Sequence, residues 1–319
     1  MFRTEVTPKI QSNFFIDYTT NILSLGSCFA TTIGSEIEKN KFVISVNPFG
    51  VLFNPLSITT ILKCCMEETI PEELFIEKGG VWNHFYCHSC FSGMKKEELE
   101  NNIKHVFTQT KQFVEKVDTL FLTLGTAIGY IHKKTGLFVA NCHKQSSSLF
   151  EKKMLSVAEI EQQLLLLLSL LPKKTKIVLT LSPVRHVKDT LESNLVSKSR
   201  LRVAMDDFTS KHDRVTYFSA YELLQDDLRD YRFYSDDLLH PSEKAIAYVW
   251  DKFVSCFMNQ ETQTTLHTVT RLVKACQHKP FHVASKEHQE FLRKTLKELK
   301  QVKKIDFSYE IRSLENQLT

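Results

Sequence analysis

Ser27, Asp237 and His240 are residue types that together attack an acyl carbonyl, and they stand at two separated points of the chain. Ser27 follows the apolar run Asn21-Ile22-Leu23-Ser24-Leu25 and Gly26, while the acid and the imidazole lie in Asp237-Leu238-Leu239-His240-Pro241. A serine hydroxyl is a weak nucleophile until a neighbouring base takes its proton, and a carboxylate behind that base sets its tautomer. Three residues apart on a turn, Asp237 can accept from one ring nitrogen of His240 and leave the other facing the serine. Each also has a plainer use. Ser27 can cap the helix that follows it, and Asp237 can be an acid at a helix start beside a surface histidine. A strand-end serine with Asp-x-x-His in the expected chain order favours the chemical use.

Position strengthens that reading of Ser27. The carboxyl end of a first strand is the rim on which open α/β sheets place their chemistry, and the next helix brings unpaired amides that can hold an oxyanion. Gly26 removes side-chain bulk from the tight strand-to-helix turn. Cys28 is a rival nucleophile. Between small and apolar neighbours, one residue into the helix, it is expected to turn inward as a packing residue.

Arg185 and His186 follow another apolar run ending at Leu181, on the same rim, where they could bind an anionic or polar acyl or sugar group. The structural alternative pairs the arginine with an acid such as Asp236. Asn194, Lys198 and Arg202 continue this polar segment. His84, Cys87, His88 and Cys90 suggest metal ligation, but in an extended segment Cys87 points away from the others and there is no second Cys-x-x-Cys pair. No metal and no cofactor is expected. His84 or His88 could still line the cleft.

The elements that must carry these residues follow from apolar periodicity. Phe29, Ile33 and Ile37 recur every fourth residue and predict an amphipathic helix ending near Asn40, with a strand at 42–46 behind it. Asn47-Pro48-Phe49-Gly50 through Pro55 reads as a loop, 56–69 and 95–116 as helices, and 82–91 as extended. Thr119 to Leu124 and Lys176 to Leu181 read as buried strands. Between them Ser156-Val157-Ala158-Glu159 forms a capping box before a leucine-rich helix reaching Leu171. A helix at 199–209 leads to a last strand at 215–218, and Pro241 opens a helix through Phe257. Strands alternating with helices predict a parallel sheet of about five strands, covered on both faces, over residues 1–260. Residues 261–319 show only helical pattern, near 262–276 and 285–302, and read as a C-terminal helical extension that packs on the body or mediates self-association.

Bulk properties exclude several classes. With 319 residues, 42% hydrophobic and 24% charged, the chain can bury a large core and has no room for long disorder. The net charge of +4 equals that of residues 261–319, which hold 11 Lys/Arg and 7 Asp/Glu, so the rest balances near zero. These cations are spread among acids, so nucleic acid is not expected as a partner. Eight irregularly spaced cysteines in a chain of this length point to reduced thiols rather than a disulfide framework. Met1 to Val6 carries no secretory pattern, and the longest apolar stretch, Leu164 to Leu171, is shorter than the ~20 residues a bilayer needs. A cytoplasmic protein without membrane partners is expected.

Leu25-Gly26-Ser27-Cys28-Phe29-Ala30 resembles the motif that names the GSCFA family, and Asn47 to Gly50, Leu124 to Ala127, Asn141 to Lys144, Ser182 to His186 and Asp230 to Pro241 are similar to further segments of that family. The resemblance spans about residues 20–260. It implies an SGNH-type (GDSL-like) hydrolase with a flavodoxin-like three-layer α/β/α sandwich and Ser27, Asp237 and His240 as the triad. It also implies an oxyanion hole built from the serine amide, a glycine amide after the second strand and an asparagine after the third. Gly50 would supply the glycine amide. Gly125 opens the third block, but Ala127 stands where the asparagine is expected, so Asn141, in the segment that includes His143, is the candidate replacement. The alternative for Asn141 is a turn residue after a hairpin at Gly136.

The function expected from these readings is a serine esterase or acyl hydrolase working through an acyl-enzyme. Its substrate would be a small molecule or an O-acylated carbohydrate. Acyl transfer by the same triad, and ligand binding without catalysis on the same scaffold, are the alternatives.

Overall fold

Five short strands, the central ones buried along their whole length, build the centre of the molecule, a computed structural model that describes residues 4–318; Met1 to Arg3 of the N-terminal segment lie outside the described residues. In chain order the elements are β1 (Ile22–Gly26), α1 (Cys28–Lys39), β2 (Ile44–Val46), α2 (Pro55–Glu67), β3 (Phe75–Lys78), β4 (Val81–His84), β5 (Ser92–Gly93), α3 (Lys96–Val114), β6 (Thr119–Leu124), β7 (Ile128–His132), β8 (Phe138–Val139), β9 (Phe150–Met154), α4 (Val157–Leu170), β10 (Lys176–Leu181), α5 (Leu191–Lys211), β11 (Val215–Tyr217), the one-turn α6 (Ala220–Glu222), α7 (Glu243–Phe257), α8 (Gln260–Cys276), α9 (Lys286–Gln301) and α10 (Ser308–Glu315).

The main sheet has the order β11-β10-β6-β1-β2, and every pairing in it is parallel. The period of two sorts the side chains. Leu23, Leu25, Leu120, Leu122, Leu124, Ile177, Leu179 and Leu181 pack on one face against α2 to α5, through residues such as Ile61, Phe107, Leu164 and Leu201. Ile22, Phe121 and Val178 meet Phe29, Ile33 and Ile37 of α1 and Val249, Phe253 and Phe257 of α7 on the other. The result is a three-layer α/β/α fold. Strand order reverses between β1 and β6, so the connections after these strands leave to opposite faces and open a crevice at their carboxyl ends, the position that doubly wound sheets use for ligands.

Several local boundaries differ from the sequence expectation for identifiable reasons. The extended reading of 82–91 holds only as far as His84, where β4 pairs with β3 and β5 in a small antiparallel sheet before the chain turns. A second small sheet, β8-β7-β9, fills the 128–154 region. α5 starts eight residues before the expected 199, because the Thr190 hydroxyl accepts from Ser193 N and caps it early. Pro241 does not open α7. It bridges to Tyr234, and the helix begins after Ser242, whose side chain accepts from Ala245 N.

The C-terminal helices α8 to α10 bury Val269, Leu272, Leu292, Leu296 and Phe307 in a cluster of their own. They also pack on the body: Leu266 joins the α1–α7 layer, Thr270 donates to Asn40 Oδ1 at 2.6 Å, and Lys41 pairs with Glu310. Among the described residues, no helix is long and apolar enough to cross a membrane.

Candidate active site

Gly26 ends β1 with φ +136°, and a Cβ there would lie 2.0 Å from the carbonyl oxygen of Thr123, so only glycine lets the turn sit this close to β6. The turn is tied by Gly26 N–H to Asn47 Oδ1 at 2.8 Å, Leu52 N–H to Gly26 O at 3.0 Å and Ser27 N–H to Thr123 O at 3.0 Å. α1 then starts at Cys28.

The two residues after Gly26 face opposite environments. Ser27 is buried, makes no capping bond, and leaves its Oγ without a hydrogen-bond partner. Cys28 is half-buried, and its Sγ lies 3.3 Å from Nε2 of His240. His240 Nδ1 donates to Asp237 Oδ2 at 2.6 Å, and Asp237 Oδ1 accepts from the backbone amides of His240 and Leu239, each at 2.9 Å. The expected acid–imidazole pair thus forms, but the side chain it meets is the thiol. The expectation of an inward, packing Cys28 and an outward Ser27 is reversed.

Helical phase, fixed by how α1 packs on the sheet, explains the reversal. At about 100° per residue, Phe29, Ala30, Ile33, Gly34 and Ile37 share one stripe, and Cys28 falls roughly 170° from its centre, on the open side. Burying Phe29, Ile33 and Ile37 is worth about 1.5–3 kcal/mol each, whereas orphaning one serine hydroxyl costs about 1–3 kcal/mol. The stripe sets the phase.

Electrostatics around the thiol act in both directions. Burial pushes the Cys28 thiol up, while the amides of Phe29 and Cys28 at the start of α1, then the Lys198 ammonium, pull it down. Asp237 is held down to about 2 by the two backbone amides and the imidazole. Lys198 is a fully buried residue that the sequence reading left among several polar candidates. Its Nζ donates to Gly125 O at 3.0 Å and Ser182 O at 2.6 Å, the two carbonyls that follow β6 and β10. Burial lowers it to about 7, and the neighbouring thiol partly offsets that.

Of the other expected residues, His186 stands in the same cluster: a Cβ on Gly125 would lie 3.0 Å from His186 Nε2, and burial, then Lys198, lowers the imidazole to about 4. Asn194 Oδ1 accepts from His186 N–H at 2.9 Å and fixes that loop. Arg185 pairs with neutral Gln225 at 2.5 Å rather than with Asp236.

Gly50 and Gly125 are not free amide donors. Their N–H groups bond Asn47 O at 2.8 Å and Phe53 O at 2.7 Å, because the turn and the loop crossing β6 close on themselves. Asn141 uses its Oδ1 to accept from His143 N–H at 2.8 Å, the turn role, and the His143 ring bonds His84 O at 2.9 Å. Ala127 is buried with its N–H on Ser197 Oγ at 2.7 Å. His84 accepts from Tyr86 N–H at Nδ1 and bonds Pro71 O through Nε2, so both of its nitrogens are occupied. Among the described residues, no three His, Cys, Asp or Glu side chains converge to hold a metal ion.

The GSCFA family profile matches residues 21–253, and that of the GSCFA domain protein C-terminal domain matches residues 269–319. No curated protein and no solved structure gives a significant match.

Proposed function

The chain belongs to the GSCFA family, and from that premise we propose that it is an acyl-ester hydrolase of SGNH-like design whose nucleophile is the Cys28 thiol. The observation that carries the reading is the continuous chain Cys28 Sγ, His240 Nε2, His240 Nδ1, Asp237 Oδ2, at 3.3 Å and 2.6 Å, on the sheet's switch-point rim.

In this mechanism His240 Nε2 takes the thiol proton and Asp237 stabilises the imidazolium. The thiolate attacks the ester carbonyl carbon, and the oxygen that becomes negative is held by the amides of Cys28 and Phe29, which begin α1 and have no acceptor within the helix. The Lys198 ammonium, two of whose three N–H donors are used by carbonyls, adds positive potential where an oxyanion asparagine would otherwise stand. The tetrahedral centre collapses, the alkoxide leaves with the proton from His240, and an S-acyl Cys28 remains. Water, deprotonated by His240, then attacks the thioester and releases the carboxylic acid and the free thiol.

All eight cysteines are unpaired, which fits a reducing compartment such as the cytoplasm, where the nucleophile stays reduced. The deciding experiment mixes the protein with a p-nitrophenyl acyl ester, quenches in acid and reads intact mass. An acyl adduct on Cys28, removed by neutral hydroxylamine as thioesters are, is expected. An adduct on Ser27 or none on Cys28 overturns the proposal.

A further inference from the structure

A cavity of about 410 Å³ opens beside the triad turn, within the size range of small-molecule sites. Leu238 and Leu239, the two residues between Asp237 and His240, form part of its wall, so whatever occupies it touches the turn that holds the imidazole. Leu238 is kept at φ +59°, in the left-handed region that a leucine avoids, and its side chain is 55% exposed. Leu191 and Tyr231 add further exposed apolar surface to the same wall.

Charge distinguishes this cavity from an ordinary apolar groove. Arg185 and Arg229 both line it. Among the described residues the one side chain that Arg185 bonds is Gln225, whose own amide donates to Tyr234 Oη at 3.1 Å and Pro183 O at 3.4 Å, so a neutral chain aims the guanidinium and no described carboxylate pairs with it. Arg229 has no ion pair among the described residues. The carboxylate on the wall, Asp230, is engaged by Arg232 at 3.0 Å. Two guanidinium charges therefore face the cavity against one acid already paired, which favours an anion able to accept several N–H bonds. Arg185 also acts electrostatically on Lys198, the cation that acts on the Cys28 thiol.

We propose that this cavity is the substrate subsite for an amphipathic organic anion, a carboxylate or phosphate on a short apolar body, whose ester bond is presented to Cys28. The assignment as a substrate subsite rests on the Cys28 reading above; the anion site itself does not. The apolar body lies on Leu191, Tyr231 and Leu238, and the anionic head bridges Arg185 and Arg229.

The test titrates 4-phenylbutanoate, benzyl phosphate and uncharged 4-phenylbutanamide into the full chain and measures Kd by NMR or calorimetry. At least one anion is expected to bind about tenfold or more tightly than the amide, and the tighter of the two identifies the head group. The double variant R185Q/R229Q is expected to bring anion and amide to parity, while C28S keeps the preference. The bound anion is also expected to slow alkylation of Cys28 by iodoacetamide. Equal binding of amide and anions, an anion affinity unchanged in the double variant, or no binding at millimolar concentration overturns the anion site. Arginine-dependent binding that leaves Cys28 alkylation unchanged overturns its role as a substrate subsite. If Cys28 proves unreactive in the absence of any ligand, the nucleophile reading falls, and the binding arm still decides the anion site.

Discussion

Cys28 Sγ meets His240 Nε2 at 3.3 Å, while the hydroxyl of the preceding Ser27 is sealed inside the protein with no partner. A thiol is the more acidic group, so the same acid–imidazole pair needs to move its proton less far uphill than for a serine.

The two neighbours should separate cleanly on mutation. Cys28→Ala is expected to abolish burst-phase release of p-nitrophenol, whereas Ser27→Ala should keep turnover within a few-fold of the parent. Removing an orphaned hydroxyl should also raise stability by about 1 kcal/mol, read as a higher Tm. Loss of the burst in Ser27→Ala, with Cys28→Ala active, would reverse the assignment.

Asp237→Asn keeps the shape of the turn but removes the charge that orients His240. A fall in kcat of roughly 10³–10⁴ is expected, with little change in KM. The carboxyl is depressed to about 2, so the stability it contributes is present above the ordinary value of 3.8 and is lost as pH falls through about 2. Acid unfolding monitored by circular dichroism should therefore show, in the parent only, a component in that window.

Lys198 gives the pH profile its alkaline side. Its ammonium is lost as pH rises through about 7, which removes a charge that favours the thiolate, so the rate of Cys28 alkylation should climb less steeply with pH there in the parent protein than ionisation of an isolated thiol requires. Lys198→Met should lower the rate about tenfold at pH 6 and remove that dependence. Stability runs the other way: a lysine lowered from 10.5 to about 7 makes the folded state bind fewer protons than the unfolded chain between those values. The parent should therefore gain stability relative to Lys198→Met as pH rises across this window. Denaturant titrations at pH 6 and pH 9.5 measure that difference.

Gly26→Ala tests the turn itself. A methyl group 2.0 Å from Thr123 O, at φ +136°, cannot be placed without moving β1 off β6. A loss of about 2–4 kcal/mol in unfolding free energy, or failure to accumulate as soluble protein, is expected. Gly79→Ala, where nothing lies within 4 Å of the added carbon, controls for surface glycine replacement at positive φ.

Much of the frame could be read from residue order because the signals are local. The apolar runs at 119–124 and 176–181, the stripe Phe29, Ile33, Ile37 and the Ser156–Glu159 capping box all fold as their own periodicity and caps dictate. The Asp-x-x-His pair was equally local, since three residues of turn bring Oδ2 to Nδ1. The small sheets β3-β4-β5 and β8-β7-β9 were less legible: their strands run two to five residues and gain stability only by pairing and by packing under the loops.

What only the tertiary structure decided is which group meets which across distance. Residue types and spacing alone pointed to a hydroxyl or thiol after Gly26 and to an acid–imidazole pair at Asp237 and His240. That the side chain facing His240 is Cys28 depends on the rotation of α1, set by burial against β1 and α7, while Ser27, in extended conformation just before the helix, turns its hydroxyl inward. Likewise, nothing near Lys198 in the chain foretells its two carbonyl partners, Gly125 and Ser182. They converge because β6 and β10 lie side by side and α5 crosses their ends, placing a buried charge where backbone oxygens must satisfy it.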